Sequence, residues 1–465
     1  MRHFDAILIG AGQAAPSLAV ELAERGQRVA LIEGNLLGGT CVNVGCTPTK
    51  TLRKSARVAH MVSRAAEFGV MTGPVSVDFA AAMQRMRARV ETSRLGLTDW
   101  LDATANVETL HGWASFQGRD GDRFLIETNG ETLSTARVYL NTGTRAVIPD
   151  VPGIESVPYL DNVSILALTE CPAHLIIVGA SYIGLELGQI FRRLGAQVSI
   201  IHRTGRIAER EDEDISEHIA EFLRAEGIAF YLNSSVNQLM RSDEGLSARL
   251  SDNQEIHGSH ILFATGRQTN VERLNLSAVG VETNARGFIR TDARFNTSVA
   301  GIKALGDVNG RGAFTHTSYH DHQIVLAEFD GQHPAGQWQD ADRRVLSYAM
   351  FTDPPLGRVG ITLSQAKALA NKGQKILVAE IAMADVSRAK EEDETWGMMR
   401  FIIDAESERF LGAAILGIGG DEIIAVITNF MATGASYRLM QQALPIHPTV
   451  AEFFPTVLAR LRALK

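Results

Sequence analysis

Two glycine-rich turns, each set between an apolar run and a helical pattern, constrain this chain more than any other feature. The first, Gly10-Ala11-Gly12-Gln13-Ala14-Ala15, follows Ala6-Ile7-Leu8-Ile9. The apolar run reads as a buried parallel strand, and a helical pattern continues to about Arg25, where Gly26 stops it. A second strand over 28–32 ends at Glu33, 21 positions after Gly12. Gly10, Gly12 and Ala15 let backbone approach a pyrophosphate at a helix N-terminus, and Glu33 can hold ribose hydroxyls.

The unit recurs. Leu175-Ile176-Ile177-Val178 reads as a strand, Gly179-Ala180-Ser181-Tyr182-Ile183-Gly184 as the turn, and a helix to Leu194 precedes a strand over 197–201. Ser181 replaces the middle glycine. Its Cβ makes backbone approach slightly less free, and its hydroxyl can compensate by hydrogen bonding. An acid at the end of this strand would bind a ribose 2′-OH. His202 and Arg203 stand there instead, with Arg206 and Arg210 nearby. Cations suit a 2′-phosphate, so NADPH is favoured over NADH, although Glu209, Glu211 and Asp212 complicate the field.

Behind the first turn lies Gly38-Gly39-Thr40-Cys41-Val42-Asn43-Val44-Gly45-Cys46-Thr47-Pro48-Thr49-Lys50. On an ideal helix two cysteines five positions apart sit about 8–9 Å apart at Cα. A disulfide needs them closer, so if these thiols pair, the helix must begin distorted; Gly45 and Pro48 suit that. Such a pair reads as a redox device rather than a staple. Two buried cysteines acting as small hydrophobes would not explain the glycines, Pro48 and Lys50. Zinc is disfavoured because the chain has three cysteines and no second close pair.

This run resembles the redox-active motif of the class I flavin disulfide reductases, the family of lipoamide dehydrogenase, glutathione reductase and mercuric reductase. The resemblance extends over nearly the whole chain. It implies FAD at the first turn, with Gly39 and Thr40 in its site. It implies a redox pair in which Cys46 is the charge-transfer thiol beside the flavin and Cys41 the interchange thiol. Asn141-Thr142-Gly143-Thr144 resembles the family's Thr-Gly segment near the flavin, and Ala264-Thr265-Gly266-Arg267 ends the second nucleotide domain. Gly306-Asp307 resembles the segment whose acid contacts the ribityl chain, and His316 falls in a flavin-contacting loop. Tyr182 matches the tyrosine that covers the nicotinamide pocket, and Glu186 the acid that pairs with Lys50 beside flavin N5. His316, His320, Asp321 and His322 look like a metal cluster but are read as part of the flavin loop, so no metal is expected. Cys171 is read as structural.

The chemistry returns at Ile446-His447-Pro448-Thr449-Val450-Ala451-Glu452. Thr449 and Glu452 form a T-x-x-E capping box. In the resembling reductases this histidine exchanges protons with the interchange thiol of the partner subunit, and Glu452 orients it. A dithiol–disulfide exchange needs such a base because thiolate, not thiol, attacks.

The expected fold class is α/β, with two Rossmann-like nucleotide-binding domains for FAD and NAD(P) plus a C-terminal α+β dimerisation domain. The expected segments are a first flavin segment 1–148, an NAD(P) segment 149–272, a second flavin segment 273–338 and an interface domain 339–465. The net charge is −8 with no basic block, so nucleic acid is a poor partner. No apolar window suits a membrane span, and the N-terminus leaves no room for a signal peptide. Few cysteines suggest a reducing, cytoplasmic setting. The expected function is hydride transfer from NAD(P)H through FAD to Cys41–Cys46 and on to a small-molecule disulfide or related thiol-reactive substrate, in a homodimer whose His447 completes the partner's active site. The alternatives are mercuric or other metal-ion reduction, and an NAD(P)H oxidase or transhydrogenase using flavin alone. The chain's end, Arg460-Leu461-Arg462-Ala463-Leu464-Lys465, carries no cysteine pair, which weighs against efficient mercury reduction.

Overall fold

The computed structural model describes residues 1–242, 245–332 and 339–464. Residues 243–244, 333–338 and 465, which belong to the expected NAD(P), second flavin and interface segments, lie outside them. Contacts divide the chain into two units. One comprises Met1–Thr51, Ala81–Val147 and Gly266–Arg344; the other comprises Leu52–Ala80, Ile148–Thr265 and Val345–Lys465.

In the first unit a five-stranded parallel sheet runs in the order Ile302–Ala304, Val138–Leu140, Ala6–Ile9, Val29–Glu33, Val107–His111. Its central strand has apolar residues at every position because both faces are covered. Leu8 packs with Leu18, Ala19 and Leu22 of the helix Ala15–Glu24. Ile7 and Ile9 pack instead against Phe116, Phe124 and Ile126. Those three belong to a second sheet, in which Ser115–Asp120, Arg123–Thr128 and Glu131–Thr135 are antiparallel.

The second unit repeats the parallel plan in the order Tyr159–Leu160, His260–Phe263, His174–Val178, Gln197–Ile201, Ala229–Tyr231. It also holds a six-stranded sheet whose strands Ser347–Met350, Leu356–Gly360, Phe410–Leu416, Met398–Asp404 and Ile376–Ala382 pair antiparallel. Phe401, Phe410 and Phe454 form its aromatic core. One row across this sheet is polar: Tyr348 lies opposite Arg358, Arg358 opposite Ala414, Ala414 opposite Arg400, and Arg400 opposite Glu380.

Helices Cys46–Ser63 and Phe79–Asp102 flank a non-helical segment over 69–78 that contains Gly69, Gly73 and Pro74. In the second of these helices Met83, Met86 and Val90 are buried, while Arg85, Arg87 and Arg89 are exposed. Among the described residues no helix is long and apolar enough to cross a membrane.

Candidate functional site

The first glycine turn is built from backbone that tolerates no side chain. Gly10 has φ +91°, and a Cβ there would lie 2.5 Å from the Asn141 carbonyl oxygen. A Cβ on Gly12 would lie 2.6 Å from Asn141 Oδ1. The Asn141 amide ties three segments together: Oδ1 accepts from the Ala15 N–H at 3.2 Å and Nδ2 donates to the Leu305 carbonyl at 2.8 Å. Glu33 closes the turn, accepting from the Ala11 N–H at 2.7 Å and the Asn35 N–H at 2.8 Å. The cysteine motif clasps the same turn, since the Gly38 N–H donates to the Ala11 carbonyl at 3.1 Å and Gln13 Nε2 to the Gly38 carbonyl at 3.0 Å.

The motif's helix breaks where glycine permits it. Gly39–Val44 and Cys46–Ser63 are separate helices, and Gly45 between them has φ −135° and ψ −112°. The break brings the two sulfurs together: donation of its proton to Cys46, then burial, pushes the Cys41 thiol well above the usual thiol range. Cys46 is the more exposed sulfur, and its Sγ lies 3.2 Å from Thr315 Oγ1. Cys46 and Thr315 each begin a helix, so partial positive charge from two N-termini falls on this sulfur. Thr315 has no signal in the cysteine motif, and only tertiary structure places it there.

Other predicted residues of this unit gather near the turn. Arg267 Nε donates to Thr144 Oγ1 at 2.7 Å, and the Thr144 hydroxyl donates to Asp307 at 3.0 Å. Burial raises the Asp307 pKa against the opposing pull of Arg267 and Thr144, and burial lowers that of Arg267. Arg267 Nη2 is 3.5 Å from Thr40 Oγ1. Gly143 and Gly306 both have positive φ, and the Gly306 N–H donates to Asp321 at 2.7 Å. Asp321 also pairs with Arg344 at 2.6 Å. His316 stacks on Phe314 with centroids 5.7 Å apart. Thr142 Oγ1 is buried with no hydrogen-bond partner among the described residues. That unpaired hydroxyl, the closely fitted glycines and Glu33 fit a flavin dinucleotide. Lys50 lies on the helix Cys46–Ser63, one turn beyond Cys46.

In the second unit Gly179 has φ +112°, and a Cβ would lie 2.3 Å from the Ala264 carbonyl oxygen. A Cβ on Gly184 would lie 2.1 Å from the Gly179 carbonyl oxygen. Ser181 is the extended, exposed residue before the helix Tyr182–Arg193, and its hydroxyl makes no capping bond there. His202 Nδ1 accepts from the Ala180 N–H at 3.3 Å. An amide can only donate, so this ring carries its proton on Nε2 when neutral. Burial holds the His202 pKa below the usual imidazole value, with Glu209 opposing and Arg203 reinforcing. Nε2 is buried, has no hydrogen-bond partner among the described residues and lies 3.6 Å from Glu209, while Arg203 is exposed. An unpaired donor beside a glycine turn fits a nucleotide.

Glu186 is buried, and its Oε1 accepts from the Phe351 N–H at 2.8 Å. The Tyr182 hydroxyl donates to Glu211 at 2.5 Å. Glu211 and Asp212 therefore do not act as a free negative field around the second turn. Both are buried, with Arg358 3.6 Å from Glu211 and 3.0 Å from Asp212. Near the C-terminus His447 Nδ1 lies 2.8 Å from Glu452 Oε2. The expected capping box is half made: the Glu452 N–H donates to Thr449 Oγ1 at 3.2 Å, but the Glu452 carboxylate turns to His447. Cys171 Sγ sits 3.6 Å from the Leu194 carbonyl, and burial raises its pKa.

With this geometry in place, comparison with known proteins is informative. Residues 4–321 match the pyridine nucleotide-disulphide oxidoreductase family model, and residues 346–458 match the dimerisation domain of the same family. The chain is 33% identical over 455 residues to the probable pyridine nucleotide-disulfide oxidoreductase RclA of Escherichia coli, covering 97% of this chain and 98% of that protein. It is 31% identical over 454 residues to a mercuric reductase of Lysinibacillus sphaericus, covering 97% of this chain and 81% of that one. Among solved structures, the Cu(II) complex of the HOCl-induced flavoprotein disulfide reductase RclA from Escherichia coli superposes with a TM-score of 0.87. The identity there is 31%, with 99% of both chains covered. The chain thus belongs to the pyridine nucleotide-disulphide oxidoreductase family and is a flavin-dependent oxidoreductase that uses a pyridine nucleotide.

Proposed function

We propose that this enzyme reduces a small disulfide or related thiol-reactive substrate at Cys41 and Cys46, with NADPH as the preferred reductant. The observation that carries the reading is the placement of the cysteine pair. The two sulfurs meet at a broken helix that clasps the first glycine turn, and Thr315 lies against Cys46. FAD, when bound, accepts hydride from the pyridine nucleotide and delivers two electrons to the cysteine pair.

The residues divide the remaining work. Gly10, Gly12, Ala15, Glu33, Gly39, Thr40, Thr142, Gly143, Gly266, Arg267, Gly306, Asp307 and His316 hold the flavin. Gly179, Ser181, Gly184, His202 and Arg203 hold the pyridine nucleotide. Lys50 supplies positive charge at the flavin, Glu186 its counter-charge, and Tyr182 covers the nicotinamide. Thr315 and the two helix N-termini favour ionised Cys46, and Cys46 with burial outweighs the pull of Thr315 on Cys41, which keeps its proton until a base removes it. That base is His447, oriented by Glu452 and supplied by the partner subunit of a homodimer. The histidine side chain is 76% exposed. Leu444 and Ile446 beside it are 98% and 78% exposed, which favours a face covered by a second copy. The expected segments 1–148, 149–272, 273–338 and 339–465 remain our assignment of the flavin, NAD(P), flavin and interface parts.

An anaerobic titration with NADPH and then NADH tests the reading. A long-wavelength charge-transfer band after two electrons, lost in Cys46→Ser and formed faster with NADPH, is the expected result. Flavin bleaching without that band would overturn the cysteine assignment and favour an oxidase or transhydrogenase that needs flavin alone. His447→Ala should slow thiol exchange far more than flavin reduction, and equal losses would remove its role. A second reading, reduction of a soft metal ion, is favoured by the Cu(II) complex of the RclA relative and by the mercuric reductase likeness. Two adjacent thiols suit such an ion. Turnover with Cu(II) or Hg(II) exceeding that with every disulfide would make it the better one.

A further inference from the structure

The polar row of the six-stranded sheet carries more than structure. Arg358 and Arg400, each 1% exposed, would be costly there alone. The acidic run that opens the helix Glu213–Ala225 meets them: Asp212 pairs with both, and Asp214 pairs with Arg400. Glu211 is the exception within this run. Its Oε1 accepts two phenols, Tyr182 at 2.5 Å and Tyr348 at 2.8 Å, whose rings lie 5.8 Å apart. Among the described residues its Oε2 is buried with no hydrogen-bond partner, and so is Arg358 Nη1, 3.6 Å away. Burial, then the Glu211 charge, raises the Tyr182 pKa, so this phenol remains a donor at every working pH.

We propose that Glu211 is a positioning residue that latches Tyr182, with Tyr348 competing for the same carboxylate oxygen. The inference rests on the reading of Tyr182 as the residue covering the nicotinamide. Tyr182 is the first residue of the helix that follows the second glycine turn, so its backbone is fixed and only its ring can move. Moving the ring breaks the bond to Oε1. The carboxylate is not stranded by that loss, because Tyr348 keeps its bond and Arg358 Nη1 is in reserve. A buried acceptor with one shared oxygen, and a second oxygen facing an N–H of an arginine already paired with Asp212, can hold the ring in place and also let it go. The second glycine turn alone would bind a nucleotide without this arrangement; the latch sets how easily the nicotinamide half is admitted.

The test is calorimetric binding of NADP+ to the flavin-loaded enzyme and its variants, beside 2′,5′-ADP, which lacks nicotinamide. Tyr182→Phe and Glu211→Gln should each tighten NADP+ binding about three- to tenfold by releasing the ring, the equivalent of one hydrogen bond. Tyr348→Phe removes the competitor, strengthens the latch and should weaken NADP+ binding. In the Tyr182→Phe background neither Glu211→Gln nor Tyr348→Phe should have further effect, and 2′,5′-ADP should bind all variants alike. A purely structural cluster would shift both ligands in the same direction in both backgrounds, which would overturn the latch. So would Tyr348→Phe that leaves NADP+ affinity unchanged, a result available even if Glu211→Gln does not fold. Absence of binding of either ligand to the parent enzyme would instead refute the NADP-site reading, while unchanged NADP+ affinity in Tyr182→Phe would refute Tyr182's role.

Discussion

The contact between Cys46 and Thr315 makes a quantitative prediction. When Cys46 is ionised, only the hydroxyl can donate, and the separation of 3.2 Å is within reach of sulfur. A hydrogen bond to a charged group contributes about 1.5–3 kcal/mol. At about 1.4 kcal/mol per pKa unit, removing it should raise the Cys46 pKa by about one to two units. Thr315→Val removes the donor and preserves shape. It leaves both helix N-termini in place, so their contribution of about 0.3–1 kcal/mol each is retained. The assay is the pH dependence of iodoacetamide alkylation, with the Cys46 peptide separated from the Cys41 peptide by mass. It reads the thiolate directly and does not depend on flavin chemistry. The midpoint for Cys46 should move upward in Thr315→Val and return in Thr315→Ser. A midpoint that stays within about 0.3 unit of the parent would refute the argument, because one hydrogen bond to an anion cannot be that weak.

Two further outcomes follow from other parts of the structure. Asp353, buried between Arg193 and Arg57, is pushed up by burial, but the two arginines outweigh this and hold it below the usual carboxylate range. A depressed folded pKa means stability that is present above the unfolded value of about 3.9 and lost as pH falls through the folded value. Asp353→Asn should therefore cost about 3 kcal/mol at pH 7 in urea unfolding, with the gap to the parent closing toward pH 2; a gap independent of pH would refute it. Separately, His202→Glu should lower the NADPH-to-NADH ratio of kcat/KM by at least about tenfold, since a carboxylate there both binds a 2′-OH and repels a 2′-phosphate. An unchanged ratio would show that His202 does not face the ribose.

What is readable in this sequence is what is local. The two turns, their flanking strands and the break at Gly45 rest on residues within a few positions of each other, and the structure has them where the pattern places them. The acidic run is different. Read locally, Glu211 and Asp212 are negative charges near a nucleotide; in the fold Asp212 pairs with Arg358 and Arg400, far along the chain, and Glu211 accepts the phenols of Tyr182 and Tyr348. A signal was present, since Arg358 and Arg400 interrupt strands that are otherwise largely apolar, and a charge buried in a sheet needs a partner. Thr449 and Glu452 show the same limit. The T-x-x-E spacing by itself predicts a reciprocal cap; the contact of the carboxylate with His447 is legible only through the resemblance of the whole motif, and the structure has that contact. Thr315 could not be found by pattern at all, because its importance depends on a sulfur that the broken helix turns toward it.

The two nucleotide turns show most directly how one backbone plan can be given two chemistries. In the first, Glu33 accepts the N–H of Ala11, 22 positions earlier. In the second, His202 accepts the N–H of Ala180, also 22 positions earlier. The strand-end side chain thus closes the turn in both units, and either an acid or an imidazole can do so because each offers a lone pair at the same place. They differ in what they present outward. The carboxylate is acceptor-only and negative, suited to ribose hydroxyls and hostile to a phosphate. The imidazole, having used Nδ1 as acceptor, must carry its proton on Nε2, and that donor has no hydrogen-bond partner among the described residues. Glu209, 3.6 Å away, is the nearby charge that would oppose a phosphate, yet its carboxylate is already engaged by the Thr204 hydroxyl. The same substitution therefore leaves the fold of the turn intact while changing the charge it offers, so the preference for the phosphorylated nucleotide that we propose rests on one side chain rather than on the architecture.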